Sequence, residues 1–237
     1  MRSKKRLTSS LVTFTIFLFL ATASPAFAAD KEKVLHNFGD EEDGASPNGG
    51  LIFDAAGNLY GTTYYGGGGN CGYDTTCGTV FQLTPSGNGK WKESVILLGS
   101  QAGDNPAAGL ILDAAGNLYG TASGGYQGEG LGTVFELSPH ANGKWTEEIL
   151  YSFTNGDGGN DPVAGLTFDA AGNLYGTTFT SLYGCGNVFE LVHGAKDTWT
   201  EKVLLTFGQG HGCYPDGTMI FRRCRKPLRY RVRGRSL

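Results

Sequence analysis

Three aspartates stand in the pattern that most resembles a chemical site, because each begins the sequence Asp-Ala-Ala-Gly-Asn. A ring of such side chains would offer oxygen ligands to a cation, yet the alternating Asp-x-Asp-x-Asp order of a calcium loop is missing. The pattern also fits a tight turn, in which Asp accepts backbone N–H bonds and Gly adopts a positive φ. We interpret these positions as turn residues, with a ring of calcium ligands as the alternative. They are Asp54, Gly57, Asn58, Asp113, Gly116, Asn117, Asp169, Gly172 and Asn173.

Other catalytic patterns are missing from the sequence. The four histidines, His36, His140, His193 and His211, stand at unrelated positions relative to these aspartates. No nucleophile elbow and no His-Glu-x-x-His motif occurs. The glycines at 66–69 do not lead from a strand into a helix, which is where a phosphate-binding loop lies. We therefore predict that the chain has no catalytic residues, no metal and no cofactor, and that it is not an enzyme.

The aspartates lie in a stretch that occurs three times, at intervals of roughly 57 residues, which indicates a repeat architecture. Each copy predicts a hairpin, because an apolar run ends at the turn and a second run follows. A Val-Phe strand comes next, and a Trp-x-Glu strand with period-two alternation closes the repeat. The hairpins span residues 50–63, 109–122 and 165–178, the Val-Phe strands 78–83, 132–137 and 186–191, and the last strands begin at Trp91, Trp145 and Trp199.

Four short strands joined by tight turns are the construction of a propeller blade. The predicted fold is all-β, with tandem four-stranded antiparallel meanders. Three full blades fall short of the about four to eight of a closed propeller, so we expect an open partial β-propeller of three blades. Unpaired strand edges at its ends favour self-association. Recurring aromatic residues, such as Tyr60 and Phe81, are expected to pack blade against blade rather than form a ligand cage.

Four of the five cysteines fit two disulfides. Cys71 and Cys77 enclose one short segment of a glycine-rich loop. Cys185 stands at the position equivalent to Cys77, and Cys213 lies in the loop that enters the next blade, on the same face of a meander. We predict Cys71–Cys77 and Cys185–Cys213 pairs in an oxidising compartment, with metal binding or free thiols as alternatives.

Residues 1–28 have the composition of a secretory signal peptide. Basic residues between Arg2 and Arg6 precede an apolar run at 11–21, and small residues precede a cleavage site after Ala28. A membrane anchor is the alternative, but the run is shorter than the roughly 20 residues that a spanning helix needs. We expect a secreted protein, extracellular or periplasmic, without a membrane partner once the signal is removed.

The repeat pattern also predicts the boundaries of the mature chain. Residues 32–38 have the pattern of residues 201–207, so residues 29–44 are predicted to hold the outer strand of an incomplete blade and a linker. The remaining segments are repeat 1 at 45–101, repeat 2 at 102–156, repeat 3 at 157–208 and the start of a fourth repeat at 209–221.

Basic residues concentrate at the two ends of the chain. Of the 19 Lys and Arg residues, four lie in the signal peptide and eight in residues 222–237, which leaves seven against 22 acidic residues. The repeats are therefore acidic, which argues against nucleic acid as a partner. One interpretation of residues 222–237 is a basic tail that binds nucleic acid or a membrane.

A frameshift is the interpretation of the tail that we prefer. One added nucleotide converts a coding of the expected Asp-Ala-Ala-Gly-Asn-Leu-Tyr-Gly-Thr-Ala-Ser into the sequence of residues 222–232. We therefore expect residues 222–237 to be a frameshifted tail of a truncated product, with Cys224 an accidental thiol.

The Gly-Asn-Leu-Tyr-Gly-Thr, Gly-Thr-Val-Phe and Trp-x-Glu elements resemble the GloVer (Gloeo/Verruco) tandem repeats of secreted bacterial proteins. The resemblance implies an extracellular, propeller-like repeat protein and brings no established activity. We expect a binding or structural scaffold of the cell envelope, whose loops at 64–77 and 123–131 present a surface to a glycan or protein. A weaker similarity to gluconolactonase propellers leaves a lactonase-like hydrolase, with a metal at the blade centre, as the alternative.

Overall fold

The computed structural model describes residues 32–39, 42–67, 77–98, 103–124, 131–154, 156, 158–182, 184–208, 210 and 212–221. The chain divides into two compact units, Met1–Val34 and Leu35–Leu237. The described part of the first unit, residues 32–34, has no regular secondary structure, and every described strand belongs to the second unit. The predicted signal peptide with Ala28, Cys71, the tail and most of the two glycine-rich loops lie outside the described residues.

Each repeat forms one antiparallel sheet, which we call a blade. Blade 1 contains β1 (Ala45–Pro47), β2 (Ile52–Phe53), β3 (Leu59–Tyr65), β4 (Thr79–Gly87) and β5 (Lys90–Leu98), with β1 and β2 both paired to β3. Blade 2 contains β6 (Ile111–Leu112), β7 (Leu118–Ala122), β8 (Thr133–Pro139) and β9 (Trp145–Ser152). Blade 3 contains β10 (Thr167–Phe168), β11 (Leu174–Thr177), β12 (Asn187–His193) and β13 (Trp199–Thr206), with a 3-10 turn at Ala195–Asp197.

Apart from β1, which pairs with β3 and not with β2, strands that follow one another along the chain are neighbours in each sheet, so every blade is a meander. None of the three sheets closes into a barrel. The predicted fold class is therefore confirmed: the chain is all-β, and its three tandem meanders form an open partial propeller. Short turns make this possible, because the Asp-Ala-Ala-Gly-Asn segment joins β2 to β3 and Asn88–Gly89 joins β4 to β5.

Side chains alternate between the two faces of each blade, so blade 2 packs on blade 1 with one face and on blade 3 with the other. The apolar cluster where blade 2 meets blade 1, the 1/2 junction, joins Tyr60 to Phe135. The cluster at the equivalent 2/3 junction joins Tyr119 to Phe189. The recurring aromatic residues thus pack blade against blade, as the sequence predicts.

A glycine on β3, β7 and β11 makes room for the phenylalanine ring on the next strand. Gly120 pairs with Phe135 across β7 and β8, and a Cβ atom at Gly120 would lie 2.5 Å from the ring. Gly176 pairs with Phe189 in the same register, with a corresponding distance of 2.4 Å. These distances are shorter than a van der Waals contact, so both positions require glycine for steric reasons.

Hydrogen bonds also join neighbouring blades near their inner strands. The hydroxyl of Thr62 donates to the carbonyl of Ala108 at 2.9 Å, and the N–H of Asn105 donates to the carbonyl of Cys77 at 2.7 Å. Asn105 precedes a proline and has a φ of 60°. Asn is one of the few residue types that adopt this left-handed backbone readily. Strand β3 and the segment that leads into β6 are therefore held by the neighbouring blade as well as by their own sheet.

The segment predicted as an additional outer strand at 32–38 is not a strand, which corrects the expectation. The outer strands β5, β9 and β13 pair with β4, β8 and β12, the Val-Phe strands of their own blades. The described residues contain no third strand for this segment. Leu35 and Phe38 nevertheless pack on the blade 1 core, and the Phe38 ring lies 4.8 Å from that of Phe81. The apolar contacts of an outer strand are thus present without its ladder hydrogen bonds.

The structure joins Cys185 to Cys213, the pair expected from the sequence, with Cα atoms 4.6 Å apart. This disulfide ties the loop between β11 and β12 to residues 212–221, which begin the fourth repeat. Cys77 is also disulfide-bonded, and its predicted partner Cys71 lies outside the described residues. A covalent bond therefore links blade 3 to the first residues of the fourth repeat.

Candidate functional site

The turn aspartates are held by hydrogen bonds from their own hairpins. In blade 1, Oδ1 of Asp54 accepts from the N–H groups of Ala56 and Asn58 at 2.9 and 2.8 Å. Its Oδ2 accepts from the Asn58 amide at 2.8 Å and from the Tyr60 hydroxyl at 3.0 Å. Asp113 and Asp169 have the same four donors in their blades. This arrangement is what the turn interpretation requires.

The protonation of these groups follows from the same bonds. Burial would raise the pKa of Asp54, but the bonds from Asn58, Tyr60 and Ala56 outweigh it and hold the pKa below its ordinary value. Asp169 has its pKa lowered in the same way. A carboxylate offers about four lone-pair sites, and four donors occupy them here. In the part of the chain that the structure describes, no group of three or more His, Cys, Asp or Glu residues has the geometry to hold a metal ion.

A cleft of about 660 Å³ opens at the 2/3 junction, on the side of the turn aspartates; we call it the 2/3 cleft. Blade 2 contributes Tyr119, Glu136 and Glu148, and blade 3 contributes His193, Asp197 and Trp199. Asp113 and Asp169 also line the cleft, as do Asn117 and Phe168. Among the described lining residues there are five carboxylates and one histidine, but no Lys or Arg. The cleft is therefore strongly negative.

Aromatic rings form the apolar part of this cleft. The rings of His193 and Trp199 stack with centroids 4.5 Å apart and an angle of 19°. Phe168 meets Tyr119 edge to face at 5.0 Å. Asp197 lies 3.4 Å from Nε2 of His193. The cleft thus combines ring surfaces and charged acceptors from both blades.

Tyr119 keeps its proton in this environment. Burial raises the pKa of its hydroxyl, and the charges of Glu136 and Asp113 raise it further. The hydroxyl donates to Oδ2 of Asp113 at 3.3 Å. Glu136 accepts a bond from the Ser138 hydroxyl at 2.9 Å. Blade 2 therefore presents a neutral phenol beside ionisable carboxylates.

The 1/2 junction carries different side chains at the same positions. Where the 2/3 cleft has Glu136 and Glu148, blade 1 has Gln82 and Ser94, and where it has His193 and Asp197, blade 2 has Pro139 and Gly143. In blade 1 the Gln82 amide donates to the Tyr60 hydroxyl at 2.9 Å. The 2/3 cleft thus gains three carboxylates and an imidazole on a backbone that the two junctions share.

The turn that carries Asp197 is also unusual. Repeats 1 and 2 place Asn-Gly at this point, and Asn88 and Gly89 have φ angles of 48° and 69°. Repeat 3 places Lys196 and Asp197 there with φ angles of 62° and 56°. A left-handed backbone costs about 1–2 kcal/mol per non-glycine residue. Blade 3 therefore keeps a strained turn where its neighbours keep a relaxed one, and strain of this kind clusters at functional sites.

Sequence reasoning did not single out the residues of this cleft. His193 was grouped with histidines at unrelated positions, and Glu136, Glu148 and Asp197 were not considered. Their common signal is visible in the sequence, because each departs from its counterpart in another repeat. What the sequence does not give is the packing of blade 2 on blade 3 that brings the departures together.

A second cavity, of about 450 Å³, is lined by the inner segments of all four repeats. Asn48, Asp216 and Thr218 supply its polar side chains, and glycine, alanine, valine and tyrosine residues supply the rest. This is where the lactonase alternative would place its metal. Asp216 is the only carboxylate among the described residues that line it, whereas such a metal needs several oxygen or nitrogen ligands.

Comparison with known proteins identifies the repeat. Within the described part of the chain, no helix has the length and apolar character needed to cross a bilayer. No curated protein matches the sequence. The Gloeobacter/Verrucomicrobia repeat family matches residues 26–189, which is more than half of the 237 residues. The chain, with its tandem hairpins and four-stranded blades, therefore belongs to the Gloeobacter/Verrucomicrobia repeat family.

Proposed function

We propose that this protein is an extracellular binding scaffold and that its 2/3 cleft binds a neutral or amine-bearing glycan. The observation that carries the proposal is the contrast between the junctions. The four polar departures Glu136, Glu148, His193 and Asp197 all line one cleft. Residues needed only for folding would be expected to match between the repeats. Under this proposal the chain has no catalytic role.

The chemistry of the cleft suits a sugar. Ligand sites are concave, with volumes of about 300–1,000 Å³, apolar walls and a few polar groups that fix orientation, and 660 Å³ lies within that range. The stacked His193–Trp199 pair and Phe168 offer ring surface against which the C–H groups of a sugar can pack. Glu136, Glu148 and Asp197 offer charged acceptors, and hydrogen bonds to charged groups are the strong ones.

Charge narrows the class of glycan. Among the described residues that line the cleft, five are carboxylates and His193 is the only basic side chain. A sugar acid would bring like charge to this surface, which costs binding energy. A neutral hexose chain, or one with free amino groups, would not. We therefore expect discrimination against uronic acid and sialic acid polymers.

An extracellular location supports a scaffold of this kind. The Cys185–Cys213 disulfide is typical of oxidising compartments, and the basic, apolar N-terminus has the pattern of a secretion signal. We propose on these grounds that the protein is exported and presents its blades outside the cytoplasm.

A glycan array tests the proposal, with neutral, amine-bearing and acidic glycans on one slide. We expect binding to neutral or amine-bearing structures that Trp199→Ala abolishes. Trp145→Ala is the matched control, because Trp145 holds the same position at the 1/2 junction and its loss costs similar packing. Binding confined to acidic glycans, or equal losses in both variants, would contradict the assignment of the cleft.

A further inference from the structure

Two glutamates face each other across the strands of blade 2. Glu136 on β8 and Glu148 on β9 are paired in register, and both line the 2/3 cleft. Side chains directly opposite in an antiparallel ladder have Cβ atoms about 5 Å apart, and like charges at such positions destabilise the sheet. The described residues of the cleft include no lysine or arginine that would offset this repulsion. Blade 2 therefore carries an unfavourable pair of charges on the wall of a cavity.

The other two blades avoid this repulsion at the same pair of positions. In blade 1 the positions hold Gln82 and Ser94, which are uncharged. In blade 3 they hold Glu190 and Lys202, and the Lys202 ammonium lies 3.4 Å from Oε2 of Glu190. Of the three blades, blade 2 alone places two carboxylates here, so folding of the repeat does not require them.

Blade 3 shows which group fits against such a carboxylate. There the Lys202 ammonium donates to Oε2 of Glu190, and the Tyr175 hydroxyl donates to Oε1 at 2.6 Å. Blade 2 has the same tyrosine, as Tyr119, but it has Glu148 in place of the lysine. A primary ammonium group from a ligand would take the place of that lysine. Hydrogen bonds between ammonium and carboxylate groups are charge-assisted and are therefore among the strong ones.

We infer that Glu136 and Glu148 bind an ammonium group of the ligand, so that the 2/3 cleft selects amine-bearing glycans over neutral ones. The inference rests on the proposed function, because it names the class of glycan that the cleft binds. The cavity and the rings of Trp199 and Phe168 supply the site, and the facing glutamates select the charge of the ligand. A hexosamine unit carries both matching parts, a sugar ring and a primary amine. Its ammonium group would relieve the repulsion between the two carboxylates.

Isothermal titration calorimetry with two forms of one oligosaccharide tests this inference. Both are hexosamine chains of equal length, one with free amines and one fully N-acetylated, at about pH 6, where a free amine is protonated. We expect the wild type to bind the free-amine form at least about 10-fold more tightly. Glu148→Lys gives blade 2 the glutamate–lysine pair of blade 3 and should abolish this preference. Ser94→Lys is the matched control, because Ser94 holds the same position at the 1/2 junction, and it should keep the preference.

Glu136→Gln is a second variant, which removes one carboxylate without adding a charge and should also reduce the preference. Urea denaturation confirms that the variants fold, and Glu148→Lys should be at least as stable as the wild type because it replaces like charges with opposite ones. Equal affinity of the wild type for both forms would overturn the inference and leave the glycan site in place. A preference that survives Glu148→Lys would overturn it too, by placing the ammonium on other residues. A wild type that binds neither form would contradict the proposed function as well.

Discussion

The two junctions between blades share a backbone and a core but differ in the polar groups that are built onto them. Each buries part of a glutamate from the Trp-x-Glu strand, and Oε1 of both Glu147 and Glu201 is buried without a hydrogen bond in the described structure. At the 2/3 junction the Tyr151 hydroxyl donates to Oε2 of Glu201 at 2.7 Å. At the 1/2 junction Leu97 stands at the position of Tyr151 in the repeat.

The surroundings of the two buried glutamates therefore differ by one hydroxyl group, and their pKa values differ as a result. Burial raises the pKa of Glu147 to about 7. Burial also raises the pKa of Glu201 above its ordinary value, although the bond from Tyr151 offsets part of the rise. The comparison teaches that the residues common to the junctions build the propeller and that the residues that differ set its chemistry. The predictions below test the two halves of that statement.

The largest effects should come from the shared core, and they should be equal at the two junctions. Phe135 and Phe189 are both fully buried at 0% exposure. Truncation of a buried phenylalanine to alanine costs about 3–5 kcal/mol. We expect Phe135→Ala and Phe189→Ala to lower the free energy of unfolding by the same amount, measured by urea denaturation. Costs that differ by more than about 1 kcal/mol would show that the two cores are not equivalent.

The turn aspartates should give the next largest effect, again equal between blades. Asp113→Ala and Asp169→Ala each remove an acceptor of four hydrogen bonds, one of which comes from a tyrosine hydroxyl. We expect each variant to lose about 2 kcal/mol of stability. Calcium should not change the thermal midpoint of the wild type. A midpoint that rises with calcium and ceases to do so in the variants would favour the cation-loop alternative.

Glu147 should make stability depend on pH at one junction. Its folded-state pKa of about 7 exceeds the ordinary 4.5, so the folded state holds the proton more tightly than the unfolded state does. The stability from this group is therefore complete below pH 4.5 and is lost as the pH rises through 7. We expect Glu147→Gln to gain about 2 kcal/mol relative to the wild type at pH 8 and little at pH 4.

Glu201→Gln is the matched control for this prediction. The Tyr151 hydroxyl donates to Glu201. Glu201→Gln should therefore change the pH dependence of stability less than Glu147→Gln does. Urea denaturation from pH 4 to 8 measures both variants. Equal slopes for the two would mean that the missing hydroxyl at the 1/2 junction has no effect on titration.

The smallest effect should be a gain in stability at the strained turn. Lys196→Asn with Asp197→Gly gives blade 3 the turn of the other repeats. Glycine adopts a positive φ without the steric cost of a side chain, so we expect a gain of about 1 kcal/mol. The thermal midpoint measures it. A loss of stability would show that the Lys-Asp turn is not strained in the way that its dihedral angles indicate.

The sequence was sufficient for the blades because each strand pattern occurs three times. The alternation around Trp145 and the turn at Asp113 are local signals, and the Cys185–Cys213 pair follows from counting repeat positions. The segment at 32–38 was mistaken for a strand because its pattern is that of an outer strand. Such a pattern forms a strand only where another strand is available to pair with it, and that depends on residues far away in the sequence.

The candidate site was less predictable for a similar reason. Glu136 and His193 lie in different blades, and neither has a neighbour in sequence that suggests a ligand. Their proximity depends on how the face of one blade packs on the next. The sequence predicts a ligand surface on the loops at 64–77 and 123–131, whereas the two junctions differ at only four polar positions of the cleft.

A direct test of the central claim converts one junction into the other. Glu136→Gln, Glu148→Ser and Asp197→Gly together give the 2/3 cleft the residues of the 1/2 junction at its three differing carboxylate positions, with His193 kept. The measurement is the glycan-array profile of this triple variant beside that of the wild type, with urea denaturation to confirm folding. We expect glycan binding to fall by about 100-fold or more, because bonds to charged acceptors are worth about 1.5–3 kcal/mol each, while stability is kept or improved. An unchanged profile in a folded variant would contradict the claim that these side chains make the 2/3 cleft a binding site.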